Sequence, residues 1–321
     1  MVSLLLSILS ILLIAEFVLG NFANVFIALV NVIDWVKRQK VSCADGILTA
    51  LAVSRIGLVW VILLNWYATV FNPGFYSSGV RTIVYTAWVV SNHFSLWLAA
   101  SLSIFYLLKI ANFSRLFFLH LKWKAKRVVL MILVGSLVFL VCYLPVMILE
   151  LKLSINYYEG NITWVSTLWH ILRLSDKTVF TIMHIIPFTM SLMALLLLLF
   201  SLWKHLKMMQ LSGIGSQDES TKVHVRTMQT VISFLLFFFI YFLAQITSMW
   251  SFTTTQNNLG EILCQIFGIL YSSCHSFILI WGNKKLRVAI RSYLWRLKCW
   301  LKEREEVGNH VSSGKEQTDG V

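Results

Sequence analysis

The sequence predicts an all-α membrane protein, a seven-transmembrane helix bundle followed by an amphipathic helix at the membrane surface. Of its 321 residues, 58% are hydrophobic and only 13% are charged, whereas a soluble domain is about 45–50% apolar and about 25% charged. The apolar residues also fall into seven long runs, and each run contains at most one charged residue. About 20 apolar residues are enough to cross the hydrocarbon core as a helix, so each run predicts one span.

The seven spans together form a transmembrane domain over residues 1–283. The runs lack the alternating pattern of barrel strands, so helices are favoured over a β-barrel. The first run has no basic segment and no small-residue cleavage site, so we expect a retained span and not a signal peptide. The predicted spans are residues 3–33, 46–68, 82–108, 128–149, 178–203, 228–252 and 262–282.

The distribution of basic residues predicts the orientation. Loops on one side of the membrane, together with the tail, carry 22 Lys and Arg residues, and loops on the other side carry four. Basic loops stay cytoplasmic, so we expect an extracellular N-terminus and a cytoplasmic C-terminus. For a receptor with this orientation we expect the plasma membrane as its location. The net charge of +13 then follows from topology, and nucleic acid is not an expected partner.

Two glycosylation sequons test this orientation. Asn161 lies in the long loop that is predicted to be extracellular, and Asn112 lies in a loop that is predicted to be cytoplasmic. We therefore expect glycan on Asn161 and none on Asn112.

The segment 284–302 is predicted to be an amphipathic juxtamembrane helix. Apolar residues recur at helical spacing on one face of this helix, and basic residues fill much of the opposite face. We therefore expect the helix to lie on anionic lipids of the inner leaflet. Cys299 lies near this surface, and both palmitoylation and a free thiol stay open. Residues 303–321 are polar and are expected to form a disordered cytoplasmic tail. The apolar residues recur at helical spacing: Leu286, Ala289, Ile290, Tyr293, Leu294, Leu297 and Leu301.

Polar residues inside the first two spans predict an inter-helix network. Glu16, Gly20 and Asn24 share one face of the first helix with Ile27. Arg55 lies roughly 15 Å into the second span and needs acceptors because its guanidinium stays charged. We expect Asn24 and backbone carbonyls as its partners. Both a structural lock between helices and a switch that rearranges on activation remain open.

Aromatic and amide side chains predict a small-molecule pocket in the extracellular half of the bundle. Tyr85, Trp88 and Asn92 share one face of the third span, and residues of other spans lie at a similar depth in the membrane. The alternative is a belt of interfacial aromatic residues. The other candidates are Trp66, His184, Tyr241, Gln245 and Gln265.

The pocket region contains no carboxylate in this assignment, since Glu261 lies only at its rim. We therefore expect ligands that need not be cations, held by stacking and by neutral hydrogen bonds. No histidine cluster, GxSxG or phosphate-binding loop occurs, so neither an enzyme nor a metal or other cofactor is predicted. The sequence fits a transporter poorly, because a transporter would show two related halves. It also has no recognisable filter sequence of a channel.

Five motifs resemble those of the type 2 (bitter) taste receptors, a family of seven-helix G-protein-coupled receptors. They follow one another in the family's order and cover the chain to about residue 300, while the DRY, CWxP and NPxxY patterns of rhodopsin-like receptors are absent. The motifs are GNFANVFIALVN, LTALAVSR, SIFYLLKIANFS, SLWKHLKMMQ and HSFILIWGNKKL.

The resemblance implies binding of bitter compounds, activation of a gustducin-type heterotrimeric G protein, and signalling through phospholipase C and calcium. It places Trp66, Trp88, Asn92, Tyr241 and Gln265 in the ligand pocket. A vomeronasal-type receptor, or more distantly a transporter or channel, is the alternative, and an oligomeric state stays open. The residues implied in coupling or in the inter-helix network are Asn24, Arg55, Phe105, Tyr106, Lys109, His205, His275 and Ser276.

Overall fold

The computed structural model describes residues 2–38, 42–71, 77–111, 116–158, 165–211, 219–251 and 258–316. Within these ranges the chain forms nine α-helices and no strand. The helices are α1 (Val2–Arg38), α2 (Cys43–Val70), α3 (Ser78–Ile110), α4 (Leu116–Trp123), α5 (Ala125–Tyr158), α6 (Val165–Leu211), α7 (Glu219–Ser251), α8 (Asn258–Gly282) and α9 (Lys284–Glu316).

Seven helices in the described part of the chain are long and apolar enough to cross a membrane, namely α1, α2, α3, α5, α6, α7 and α8. The predicted fold class is thereby confirmed, and the chain is a multi-pass membrane protein. Successive spans run in opposite directions. The end of the bundle where α1 begins is called the N end below, and the opposite end, where α9 begins, is called the α9 end.

Several helices are longer than the apolar runs that predict them. Helix α5 continues to Tyr158 and α6 begins at Val165, so most of the loop expected between residues 150 and 177 is helical. Helix α9 continues to Glu316, where the sequence predicts a disordered tail from residue 303. These extensions contain no proline and many good helix formers, and charged residues there do not oppose a helix outside lipid. Asn112 and Asn161 lie outside the described residues.

Helix α3 lies at the centre of the bundle. It contacts α2, α5 and α6, while α1 packs on α2 and α8, and α7 packs between α6 and α8. Nearly every side chain from Asn92 to Leu108 is buried. A central α3 is therefore in a position to transmit changes along the length of the bundle.

Helices α1 and α8 approach closely at Gly20. A Cβ atom at this position would collide with the Ser273 hydroxyl, which donates to the Glu16 backbone oxygen at 3.3 Å. The sequence prediction that Gly20 allows a close helix contact agrees with this packing.

The start of α9 is fixed to α1 and α2 by Lys285. Its Nζ atom lies 2.8 Å from the carboxylate of Asp34 and 3.4 Å from that of Asp45, and it donates to the Asn31 side chain at 3.0 Å. Leu286 is fully buried, whereas every side chain described from Arg291 onward is exposed. Only the first turns of α9 therefore pack on the bundle.

Candidate ligand-binding cleft and arginine network

A narrow cleft lies between α3, α5 and α6, toward the N end of the bundle. Its walls are mostly apolar or aromatic and contain a few polar groups, which is the composition expected of a small-molecule site. The lining residues are Trp88, Val89, Asn92, His93, Leu96, Tyr143, Phe180, Met183 and His184.

A row of stacked rings forms one wall of this cleft. The ring of Tyr85 stacks on Trp88 with centroids 5.7 Å apart, Trp88 stacks on Phe180 at 6.2 Å, and Phe180 stacks on His184 at 4.0 Å. Rings in this arrangement offer flat apolar faces to an aromatic ligand. The row joins α3 to α6 and fixes the width of the cleft.

The floor of the cleft is a chain of three buried polar side chains. The Tyr241 hydroxyl donates to Asn92 Oδ1 at 2.5 Å, and Asn92 Nδ2 lies 3.1 Å from His184 Nε2. His184 Nδ1 lies 2.8 Å from the Phe180 carbonyl oxygen, which can only accept. The imidazole therefore carries its proton on Nδ1 and accepts from the Asn92 amide through Nε2, so the chain has a fixed direction.

The structure brings together five of the eight residues predicted to bind a ligand. Trp88, Asn92 and His184 line the cleft, Tyr85 stacks on Trp88, and Tyr241 bonds to Asn92. Gln245 is buried one helical turn from Tyr241 on α7.

Trp66 and Gln265 do not line the cleft. Trp66 lies between α1 and α2, where its indole N–H donates to Ser10 at 3.3 Å and its ring contacts Phe71 edge-on. It belongs to an apolar cluster with Ile266 of α8, the neighbour of Gln265. The sequence places these two residues at the right depth but gives no information on which pair of helices they face.

Sequence reasoning missed a nearby acid and also six lining residues, Val89, His93, Leu96, Tyr143, Phe180 and Met183. Asp176 is buried beside Tyr143, so the expectation that no carboxylate lies near the pocket is wrong. The sequence places it in a loop because the charged segment 173–177 interrupts the apolar run. The available signal was its spacing of four and eight residues from Phe180 and His184, which puts all three on one face of α6.

A second polar cluster, the arginine network, surrounds Arg55 in the middle of the bundle. The guanidinium is fully buried. It donates to the Ser95 hydroxyl at 3.3 Å, to the Ser276 hydroxyl at 3.2 Å and to His275 Nδ1 at 2.5 Å, and it contacts the Ser272 carbonyl at 3.5 Å. Neutral groups of α3 and α8 thus satisfy a buried cation, which ties α2 to both helices.

Asn24 joins this network through Ser276. The Ser276 hydroxyl donates to Asn24 Oδ1 at 2.7 Å, and Asn24 Nδ2 donates to the Gly20 carbonyl at 2.7 Å. The expected direct pairing of Asn24 with Arg55 is replaced by this bridge, because Ser276 lies between them. Four of the eight residues predicted for coupling, Asn24, Arg55, His275 and Ser276, therefore form one cluster.

Tyr271 connects the cleft to the arginine network. Its ring stacks on Tyr241 with centroids 4.6 Å apart, and the Arg55 guanidinium lies over the same ring at 5.2 Å. A continuous line of contacts thus runs from His184 and Asn92 through the two tyrosines to Arg55. A displacement at the cleft floor has a direct physical route to the middle of the bundle.

The remaining four residues predicted for coupling lie at the α9 end. Phe105 is buried and Tyr106 half-buried on α3, and the Lys109 ammonium lies 5.9 Å from the Phe105 ring. His205 is exposed on α6 and contacts His224 of α7 edge to face at 4.8 Å. These side chains stay apart from the arginine network.

Comparison with known proteins identifies the family. The sequence pattern described as "Taste receptor protein (TAS2R)" matches residues 1–298. This chain belongs to the type 2 taste receptor family. The match decides against the vomeronasal-type receptor, the transporter and the channel that the sequence left as alternatives. The family is one of receptors and not of enzymes.

Individual relatives in the taste receptor family are similar over nearly their whole length. The chain is 57% identical to taste receptor type 2 member 20 of Gorilla gorilla gorilla over 293 residues, which cover 91% of this chain and 95% of the relative. It is 57% identical to member 31 of Pongo pygmaeus over 302 residues, covering 94% and 98%. Human member 20 is also 57% identical, over 295 residues, covering 91% and 95%.

Proposed function

We propose that the chain is a plasma-membrane receptor for bitter-tasting small molecules, which bind in the cleft between α3, α5 and α6. The N end of the bundle would be extracellular and the α9 end cytoplasmic, in line with the 22 basic residues on that side. The observation that carries the proposal is the line of contacts from Asn92 through Tyr241 and Tyr271 to Arg55.

The size of the cleft supports a switch. The closed cleft has room for about one water molecule, far less than the roughly 300–1,000 Å³ of sites that hold drug-sized ligands. A bound agonist therefore has to move Trp88 or Phe180, which close the wall by stacking at 6.2 Å. An agonist that binds only the widened form shifts the population of helix arrangements toward it.

The arginine network is the element that such a shift would rearrange. Arg55 holds α2 to α3 and α8 through neutral acceptors, which exchange partners at lower cost than carboxylates would. Movement of Tyr241 changes the ring stack on Tyr271 and so the position of the guanidinium. The network would thus be both a lock in the resting receptor and the switch on activation.

The α9 end would bind the G protein. Phe105, Tyr106, Lys109 and His205 lie there on α3 and α6, and separation of these helices would open a surface for a gustducin-type α-subunit. Phospholipase C activation and calcium release would follow. Helix α9 would lie on the anionic inner leaflet, with Tyr293, Leu294, Leu297 and Trp300 exposed toward lipid.

The test is agonist-evoked calcium in cells that express the chain with or without a gustducin-type subunit, screened with a panel of bitter compounds. We expect responses that require the subunit. Ligand-dependent solute flux without the subunit would contradict the proposal and favour transport. Tags at the two termini test the orientation, because only the N-terminal tag should be accessible in unpermeabilised cells.

A further inference from the structure

A buried acid lies beside the cleft, and one of its carboxylate oxygens accepts no hydrogen bond in the described part of the chain. Asp176 is only 5% exposed, and its Oδ1 atom accepts no hydrogen bond from any residue that the structure describes. A carboxylate removed from water costs free energy unless hydrogen bonds or an opposite charge compensate it. A hydrogen-bond donor or a cation would therefore stabilise the Asp176 carboxylate.

Tyr143 connects the acid to the cleft. This tyrosine lines the cleft, is 2% exposed, and lies next to Asp176. Its hydroxyl also has no hydrogen-bond partner among the described residues. Asp176 Oδ1 and the Tyr143 hydroxyl thus lie side by side at the boundary of the site and interact electrostatically, without a hydrogen bond of good geometry.

Two further polar groups belong to the same cluster. Glu150 on α5 lies within electrostatic range of Asp176 and Tyr143, and Tyr85 of the cleft wall lies close to Tyr143. Glu150 lies seven residues after Tyr143, on the same face of α5. The cluster therefore extends the cleft toward the N end with two carboxyl groups and two phenols.

The neighbouring cations Arg173 and Lys177 attract these acids over a distance and not through an ion pair. The Arg173 guanidinium lies over the Trp169 ring at 4.8 Å, and the Lys177 ammonium lies 5.7 Å from the centre of the Trp250 ring. Within the described part of the chain, neither Asp176 nor Glu150 forms an ion pair with them. The cations are held against indole faces, so the carboxylates remain available.

We propose that Asp176, with Glu150, Tyr85 and Tyr143, forms a subsite for the protonated amine of a ligand whose apolar part occupies the aromatic cleft. This inference rests on the proposed function, since it takes the cleft as the agonist site. A protonated amine donates to the carboxylate and to phenol oxygens and supplies the missing positive charge, and such charge-assisted hydrogen bonds are the strong ones. The faces of Tyr85 and Trp88 favour a cation further.

The test uses two probes of matched shape, 4-phenylbutylammonium and the neutral 4-phenylbutanol. Binding to the purified full-length receptor in lipid nanodiscs is measured by the concentration dependence of its thermal unfolding temperature. We expect the wild type to bind the amine at least about tenfold more tightly than the alcohol, which corresponds to about 1.4 kcal/mol.

Substitution of the acid separates charge from shape. Asp176→Asn should weaken the amine about tenfold or more and leave the alcohol within about twofold, while Asp176→Glu should keep most of the preference. Asp34→Asn, the same change at the α9 end, is the matched control and should preserve it. If Asp176→Asn does not fold, Tyr143→Phe is read instead and should weaken the amine more than the alcohol.

Three results would overturn the subsite. They are equal binding of the two probes, no binding of the amine, or an amine preference that survives both Asp176→Asn and Tyr143→Phe. Because the measurement needs no G protein, its failure is distinct from failure of the proposed function, which is read from subunit-dependent calcium responses to any agonist, charged or neutral.

Discussion

The ring of Tyr241 on α7 stacks on the ring of Tyr271 on α8 with centroids 4.6 Å apart and planes inclined by 20°. Tyr241 also donates to Asn92 in the floor of the cleft, and Tyr271 lies under the Arg55 guanidinium. The pair is thus a direct step between the proposed ligand site and the arginine network.

Removing the Tyr241 hydroxyl should weaken signalling without disturbing the stack. Tyr241→Phe deletes the hydrogen bond to Asn92 and keeps the ring, so we expect a loss of about 1 kcal/mol, or about a fivefold higher agonist concentration for half-maximal calcium response. Tyr67→Phe is the matched control, because Tyr67 is half exposed on the outer surface of α2. Equal dose responses for the two variants would contradict the role of the hydroxyl.

The shape of the Arg55 head group should be essential for stability. Lysine has one nitrogen and cannot reach Ser95, Ser276 and His275 together, so Arg55→Lys leaves buried acceptors unpaired and should cost about 2–3 kcal/mol. The measurement is the thermal unfolding temperature of the purified receptor. Arg38→Lys changes an exposed pair with Asp34 and should cost less than about 0.5 kcal/mol. A comparable loss in both variants would show that the network contributes nothing specific.

The bridge between α1 and α8 should depend on one hydroxyl. Ser276→Ala leaves Asn24 Oδ1 buried without its donor and takes one acceptor from Arg55, so we expect destabilisation of about 1–3 kcal/mol. Ser54→Ala removes only a local bond to the Leu51 carbonyl and serves as the control. If both variants unfold at the same temperature, Asn24 and Arg55 are not coupled through Ser276.

Glycan on the receptor should be confined to one sequon. Asn161→Gln should abolish the shift in gel mobility that an endoglycosidase produces, whereas Asn112→Gln should leave this shift unchanged. The reason is that, in the proposed orientation, only Asn161 faces the lumen during synthesis. A glycan that depends on Asn112 would reverse the assigned orientation of the bundle.

The seven spans could be predicted from the sequence because lipid constrains the backbone. A helix must satisfy its own backbone in the hydrocarbon core, so charge-free runs identify the spans directly. This constraint does not apply beyond the core, and for that reason the helical extension of α5 to Tyr158 and of α6 back to Val165 did not follow from apolar runs.

The candidate site could be predicted from the sequence only in part. Spacing on α3 groups Tyr85, Trp88 and Asn92 on one face; Trp88 and Asn92 line the cleft, and Tyr85 stacks on Trp88. Which residue of another helix meets that face depends on helix rotation, which the sequence does not specify. The same limit explains why Trp66 was grouped with the cleft although it packs on α1, and why Ser276 was not expected between Asn24 and Arg55.

The location of the agonist in the cleft is tested most directly by dose–response curves for calcium release in Trp88→Ala and Asn92→Ala receptors, compared at equal surface density with Asn21→Ala. Among the residues that the structure describes, Asn21 bonds to the Phe17 carbonyl of its own helix, and it controls for loss of an amide. We expect both cleft variants to need at least about tenfold more agonist and the control to match the wild type. Curves for Trp88→Ala and Asn92→Ala that coincide with the wild type would contradict the account.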